Sequence, residues 1–463
     1  MGIPVVTVGR TRDDLVGGLE RLHGPVSVVR RCGELAELLA ACQTGLARAA
    51  VVAEGSAELT ASLVDRLSAV GVAVVALTDS PEEAARLRGI GVTAEVSGVE
   101  PAALAILIAG AVAQLAGERP KPPATAFADH FAAPRTSAGA ADTAAGSAAA
   151  QRAGDRGSDP GAAGACGARS GAGGGRPAAG RIIAVWGPAG SPGRTLLAAN
   201  IAGELAAEGK SVLLVDADSY GASVAAVLGL LDEAAGLAQA CRLADQGLLD
   251  GAALLRIAAP VASRAGTFRV LTGITRADRW TELRAAALSL VYERAREVAE
   301  VTVIDAGFCL EADEELSFDS MAPRRNAATL RSLELADTVF AVGAADPVGV
   351  PRLVRGLAEL SAAVPQASPR VVLNKVRAAA VGRSPERQLR EAWARYGPAV
   401  PLEAFLPADA AACDAALLAG SLLLEAAPDS PLRRSLAALV CAPLQRNRKS
   451  SVLSSTAKAG LKG

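Results

Sequence analysis

Hydrophobic positions run through this chain in two alternating series. In the first, short β-branched runs at 5–8, 26–29, 50–53, 72–77 and 93–96 alternate with stretches of helical spacing such as 35–41 and 102–115. Five such βα units predict a small doubly wound parallel sheet. The second series is longer, with buried strands expected at 182–186, 212–215, 269–271, 301–304, 338–342 and 371–373 and helices between them. It predicts a larger doubly wound α/β domain that ends near Leu444. Between the two, 119–180 is built almost entirely from Ala, Gly, Pro, Ser and Thr, and no periodic apolar stripe survives. The expected organisation is therefore a first domain at 1–118, a disordered Ala/Gly/Pro-rich linker at 119–180, a second domain at 181–444 and a basic, flexible tail at 445–463.

Composition narrows the function classes. The chain is 51% hydrophobic but only 3% aromatic, because alanine dominates the apolar fraction. The best membrane candidate, 102–117, is interrupted by Gln114, flanked by Glu100 and Glu118, and shorter than the ~20 apolar residues of a spanning helix. The opening Met1-Gly2-Ile3-Pro4 shows no basic region ahead of an apolar core, so no export segment or lipid anchor is expected. Seven scattered cysteines without a CxxC pair read as reduced thiols of a cytoplasmic protein. A net charge of −1 gives no global field for nucleic acid. The only histidines are His23 and His130, so chemistry in the second domain proceeds without imidazole.

Candidate chemistry begins where the first strand of the second domain ends. Ile182-Ile183-Ala184-Val185-Trp186 runs into Gly187-Pro188-Ala189-Gly190-Ser191-Pro192-Gly193-Arg194-Thr195, and a helix is expected from there to Ala207. A strand, a glycine-rich turn, then a basic residue and Thr at a helix start is the layout that cradles phosphate on backbone N–H groups. Gly187 and Gly193 are separated by one residue more than in the usual loop, and Arg194 stands where lysine is usual. Pro188 and Pro192 each remove a backbone donor. Two further strands end in acid: Val212-Leu213-Leu214-Val215-Asp216-Ala217-Asp218, and Val301-Thr302-Val303-Ile304-Asp305. In an open parallel sheet all strand C-termini share one edge, so Asp216, Asp218 and Asp305 are expected to converge on Arg194 and Thr195. Carboxylates and a hydroxyl around a phosphate are what Mg²⁺ and a positioned water require.

The order of these motifs resembles the ParA/MinD superfamily of deviant P-loop ATPases over about 181–444: the loop, the Val-Asp-Ala-Asp segment, a strand ending in Asp305, then Leu373-Asn374-Lys375 and Leu406-Pro407-Ala408-Asp409. The resemblance implies ATP and Mg²⁺ as ligands. On it, Gly190, Gly193, Arg194 and Thr195 hold phosphate, and Thr195 holds Mg²⁺ with Asp216 and Asp305 in the outer shell. Asp218 orients the attacking water, Asn374 contacts adenine, and Pro407 lies in a late nucleotide-contacting loop. The family's signature lysine, which reaches across a homodimer, aligns with Ala189 or Pro188, and so weak or partner-dependent hydrolysis is expected.

Within the superfamily the chain is most similar to TadZ/CpaE-type proteins, which join a degenerate, flavodoxin-like receiver domain to a MinD-like ATPase domain and help place pilus or secretion machinery. The first domain supports this. Where a working receiver has acidic residues, an acceptor Asp and a Lys, this chain has Gly9-Arg10, Ala53-Glu54 and Ser97-Gly98; only Thr78 fits. Phosphotransfer is not expected there, and Arg12-Asp13-Asp14 reads as a helix start. The resemblance implies a cytoplasmic ATP-binding protein recruited to the cell pole or septum, with pilus, secretion or division machinery as partners. Septum-site or chromosome-partition regulation stands as an alternative, as does a non-enzymatic scaffold. Apolar 436–440 is expected to complete the last helix, and Arg446, Arg448, Lys449, Lys458 and Lys462 of the tail to give at most weak membrane association.

Overall fold

Continuous β-branched runs build two separate sheets in the computed structural model, which describes residues 2–9, 15–22, 24–118, 179–230, 234–264, 266–312 and 323–441. The expected linker, apart from its last two residues, lies outside the described residues. So do the tail and Arg12-Asp13-Asp14.

The N-terminal sheet contains β1 (Ile3–Val8), β2 (Val26–Cys32), β3 (Ala49–Val52), β4 (Ala73–Leu77) and β5 (Thr93–Glu95). All pairs are parallel, in the order β2-β1-β3-β4-β5. This is the flavodoxin-like order, with its topological switch between β1 and β3. At that switch Gly9 takes the left-handed region at φ +88°, and a Cβ there would strike the Glu54 backbone, so the ends of β1 and β3 close tightly on each other.

The C-terminal sheet has eight strands. They are β6 (Arg181–Trp186), β7 (Val212–Ala217), β8 (Ala259–Ser263), β9 (Gly266–Leu271), β10 (Val301–Ala306), β11 (Thr338–Ala344), β12 (Pro369–Val376) and β13 (Leu402–Pro407). Their order is β13-β12-β11-β6-β10-β7-β9-β8. Every pairing is parallel except β8 with β9, a hairpin that adds an antiparallel edge to the expected parallel sheet. The central strands β6, β7 and β10 are buried almost throughout, because helices cover both faces.

Helix Arg194–Ala207 follows β6 and is buried from Leu197 to Ala206, so its polar residues need internal partners. Asn200 donates to Leu196 O and accepts from Leu423 N–H. Glu204 takes both arms of Arg433, at 2.7 and 2.8 Å, from the last helix, Pro431–Cys441. Leu436, Leu439 and Val440 of that helix lie in the core beside it, as the apolar spacing of 436–440 predicts. No helix among the described residues is long and apolar enough to cross a membrane.

Candidate functional site

The loop between β6 and its helix is shaped by its glycines. Gly187 packs so closely on Val342 O of β11 that a Cβ would clash with that carbonyl. Gly190 and Gly193 take φ +113° and +97°, values at which an L side chain is strained, and Ser191 is also left-handed at +52°. Gly193 caps the helix without a side chain, so the first-turn amides are left to face an anion.

Neighbouring strands bring the charged groups to this loop. Arg194 folds back over it, donating to Gly187 O and to Asp218 Oδ2, both at 3.0 Å. Asp218, just past β7, accepts the Tyr220 and Gly221 amides on its other oxygen. Thr195 Oγ1 donates to Asp305 Oδ2 at 2.6 Å and lies 3.3 Å from Ser223 Oγ. Asp216 on β7 and Asp305 on β10 are partners in register, which sets two carboxylates side by side, each only 1% exposed.

That adjacency governs their protonation. Burial pushes Asp216 up to about 6, although the Val224 and Asp218 amides oppose it. Asp305 is raised well above the carboxylate range, first by burial and then by the charge of Asp216, against the pull of Thr195 and Arg194. Its Oδ1 is buried without a hydrogen-bond partner among the described residues. A divalent cation held at Thr195 would offset the charge of this pair, with Asp216 and Asp305 behind it. No group of three or more His, Cys, Asp or Glu among the described residues is arranged to hold a metal unaided. Mg²⁺ does not require one, because it is usually held by one or two protein oxygens with phosphate and water completing the shell.

On the β11 and β12 side the loop is clasped from outside. Asn374 is 4% exposed; its Nδ2 donates to Pro192 O at 2.8 Å and its Oδ1 accepts the Lys375 amide. Lys375, left-handed at φ +60°, donates Nζ to Ser191 O at 2.8 Å. Peptide planarity sets the Gly193 N–H opposite the Pro192 carbonyl that Asn374 holds. Asn374 thus works as a brace of the loop in this structure. Pro407 ends β13 in register with Val376 and shares no hydrogen bond with the loop among the described residues. The segment 406–409 is a strand end and a helix cap: Ala408 N–H donates to Val376 O, and Asp409 accepts the Ala412 amide.

The structure therefore brings together Gly190, Gly193, Arg194, Thr195, Asp216, Asp218, Asp305 and Asn374, and leaves Pro407 at the sheet's edge. Sequence reasoning missed Ser223 and the Lys375 clasp. Ser223 carries no signal, while Lys375 was visible as the residue after Asn374 but nothing in the sequence foretold its left-handed backbone.

A parallel sheet whose strand ends gather a glycine loop, an Arg–Thr helix start and three carboxylates defines a P-loop-type α/β protein. The model of the CobQ/CobB/MinD/ParA nucleotide binding domain matches residues 183–418, just over half of the chain, and the chain belongs to that family. Among solved structures it is similar to the cell division ATPase MinD of Pyrococcus furiosus, at 19% identity over 56% of this chain and 97% of that one, with a TM-score of 0.43. It is also similar to a ParA family ATPase from Chlorobium tepidum, at 18% identity over 57% and 98%, TM-score 0.46. A third is cobyrinic acid a,c-diamide synthase from Mycobacterium smegmatis with bound ADP and magnesium, at 16% identity over 56% and 92%, TM-score 0.40. Curated proteins give no match.

Proposed function

We propose that the chain binds Mg·ATP at the Gly187–Thr195 loop and serves as a ParA/MinD-like positioning protein of TadZ/CpaE type for pilus or secretion machinery, with slow or partner-dependent hydrolysis. The observation that carries this reading is the pair of contacts Arg194–Asp218 and Thr195–Asp305, which gather a cation, a hydroxyl and two carboxylates at one glycine loop. The Gly193 amide, the helix start and Arg194 bind the polyphosphate. Thr195 donates its proton to Asp305 and so keeps its oxygen lone pairs for Mg²⁺, with Asp216 and Asp305 behind it. Mg²⁺ supplies charge compensation for the polyphosphate when bound.

Arg194 holds Asp218 Oδ2 in this structure. A phosphate that draws the guanidinium away frees that oxygen to orient a water. Ala189 and Pro188 offer no charge to a partner's nucleotide, which is why turnover is slow. The N-terminal sheet is a docking or dimerising module rather than a phosphoacceptor, because Glu54 follows β3 in the acceptor's place.

Titration calorimetry of the full chain with Mg·ATP tests the reading. Arg194→Ala is expected to weaken binding by about 1.5–3 kcal/mol, the scale of a charge-assisted hydrogen bond. No heat with the wild-type chain would overturn the proposal and leave the scaffold reading. Genes for a secretion ATPase and pilin-like proteins beside this one would support the pilus role, and division genes in their place would turn it to the septum.

A further inference from the structure

Arg194, Lys375 and Arg352 all lie at the loop, and they differ in what they hold. Arg194 is committed to Gly187 O and Asp218. Lys375 is committed to Ser191 O. The third is Arg352, in the first turn of helix Gly349–Ala363, which follows β11 and so starts beside the loop that follows β6, the strand paired with β11.

Its guanidinium lies against the loop's backbone: a Cβ built on Gly190 would stand 2.6 Å from Arg352 Nη1. Glycine at 190 thus serves both the left-handed turn and the approach of this side chain. Both border a cavity of about 90 Å³ that Pro188, Ala189, Pro192 and Asp346 also line. Asp346 shares the cavity, but its Oδ1 is taken up by the Val348 and Gly349 amides. No ion pair joins Arg352 to it or to any other carboxylate among the described residues. The loop itself carries no charge from Gly187 to Gly193.

We propose that Arg352 is a second phosphate-binding cation of this loop, entering from the helix after β11 and contacting the polyphosphate of the nucleotide held by the same chain. It brings a cation to a loop that is itself uncharged from Gly187 to Gly193. Arg194 must leave Asp218 to meet a phosphate, whereas Arg352 is exposed, lines the cavity and has no carboxylate to leave. This inference rests on the nucleotide reading above.

The test is titration of the full chain with Mg·ATP, comparing wild type with Arg352→Gln, which is polar but uncharged, and Arg352→Lys, which keeps the charge. Arg352→Gln is expected to weaken binding about tenfold, the loss of one exposed charge-assisted contact, with Arg352→Lys recovering to within roughly threefold of wild type. Thermal unfolding of the nucleotide-free variants is expected to match wild type, since Arg352 is exposed. Wild-type affinity in Arg352→Gln would overturn the assignment and leave the nucleotide reading standing. Equal loss in the Arg352→Gln and Arg352→Lys variants would also overturn it, because a charge-specific contact predicts rescue. No binding by the wild-type chain would overturn the nucleotide reading, and this inference with it.

Discussion

Replacing Asp216 by asparagine gives the sharpest test of the carboxylate pair. In the nucleotide-free chain Asp216 titrates at about 6 rather than its ordinary 3.8, because its carboxylate sits between β9 and β10 out of reach of water. A folded-state value above the unfolded one means that the native state holds the proton more tightly. Stability from this group is then fully present below 3.8 and is lost as pH rises through about 6. The gap amounts to about 3 kcal/mol at ~1.4 kcal/mol per pH unit. Asp305 beside it shares the titration, so the loss is spread over the pair and extends above 6.

Asp216→Asn also changes a contact, since the oxygen that accepts the Val224 amide at 2.9 Å becomes either an amide nitrogen or the sole acceptor left. That offset is the same at every pH and costs about 1–3 kcal/mol. The informative quantity is therefore the difference between the two proteins as a function of pH. Denaturant unfolding followed by tryptophan fluorescence, in chelator and without nucleotide, is expected to show wild type losing up to about 3 kcal/mol relative to Asp216→Asn between about pH 4 and pH 8. Parallel curves, within about 0.5 kcal/mol across that range, would refute the claim that burial keeps this carboxylate protonated.

Three further outcomes follow from other contacts. Asn374→Ala leaves Pro192 O and the Lys375 amide unbraced, and is expected to lower stability by about 1–2 kcal/mol and to weaken Mg·ATP binding; unaltered affinity in calorimetry would show that the brace does not shape the loop. Arg433→Ala strands Glu204, which is buried on the loop helix, and is expected to cost about 3 kcal/mol by thermal or denaturant unfolding, partly restored by adding Glu204→Gln. Incubation with a small phosphodonor is expected to leave the intact mass unchanged, because β3 is followed by Ala53-Glu54 and not by an aspartate; an adduct mapping to residues 1–118 would refute this.

The parts of the fold legible in the sequence were those that burial writes into composition. β6, β7 and β10 are central, covered on both faces, and therefore unbroken apolar runs. β8 and β13 escaped because they are edges. Ala259-Pro260-Val261-Ala262-Ser263 carries a proline and small residues, and Leu402–Pro407 carries Glu403 and ends in proline, so neither shows the signature of a buried strand. The acidic strand ends were equally plain, since an ionisable residue closing an apolar run is easy to see. What the sequence withheld was register and closure. That Asp216 and Asp305 stand side by side depends on how β7 aligns with β10, and that Lys375 and Arg352 reach the loop depends on a left-handed backbone and on a helix far along the chain.

Arginine at 194 sharpens the chemical consequence of this arrangement. A lysine in its place would present one compact ammonium to either a phosphate or the carboxylate. The guanidinium instead spends one arm on Gly187 O and another on Asp218, while its Nε is buried without a partner among the described residues. A planar fork fixed in this way cannot turn onto a phosphate without breaking the Asp218 contact, so Arg194 and Asp218 hold each other in place. Phosphate is then better met first by groups that give nothing up, namely the Gly193 amide and the uncommitted Arg352. The order of engagement predicted by this geometry is the Gly193 amide and Arg352 first, with Arg194 reaching the phosphate only as it parts from Asp218.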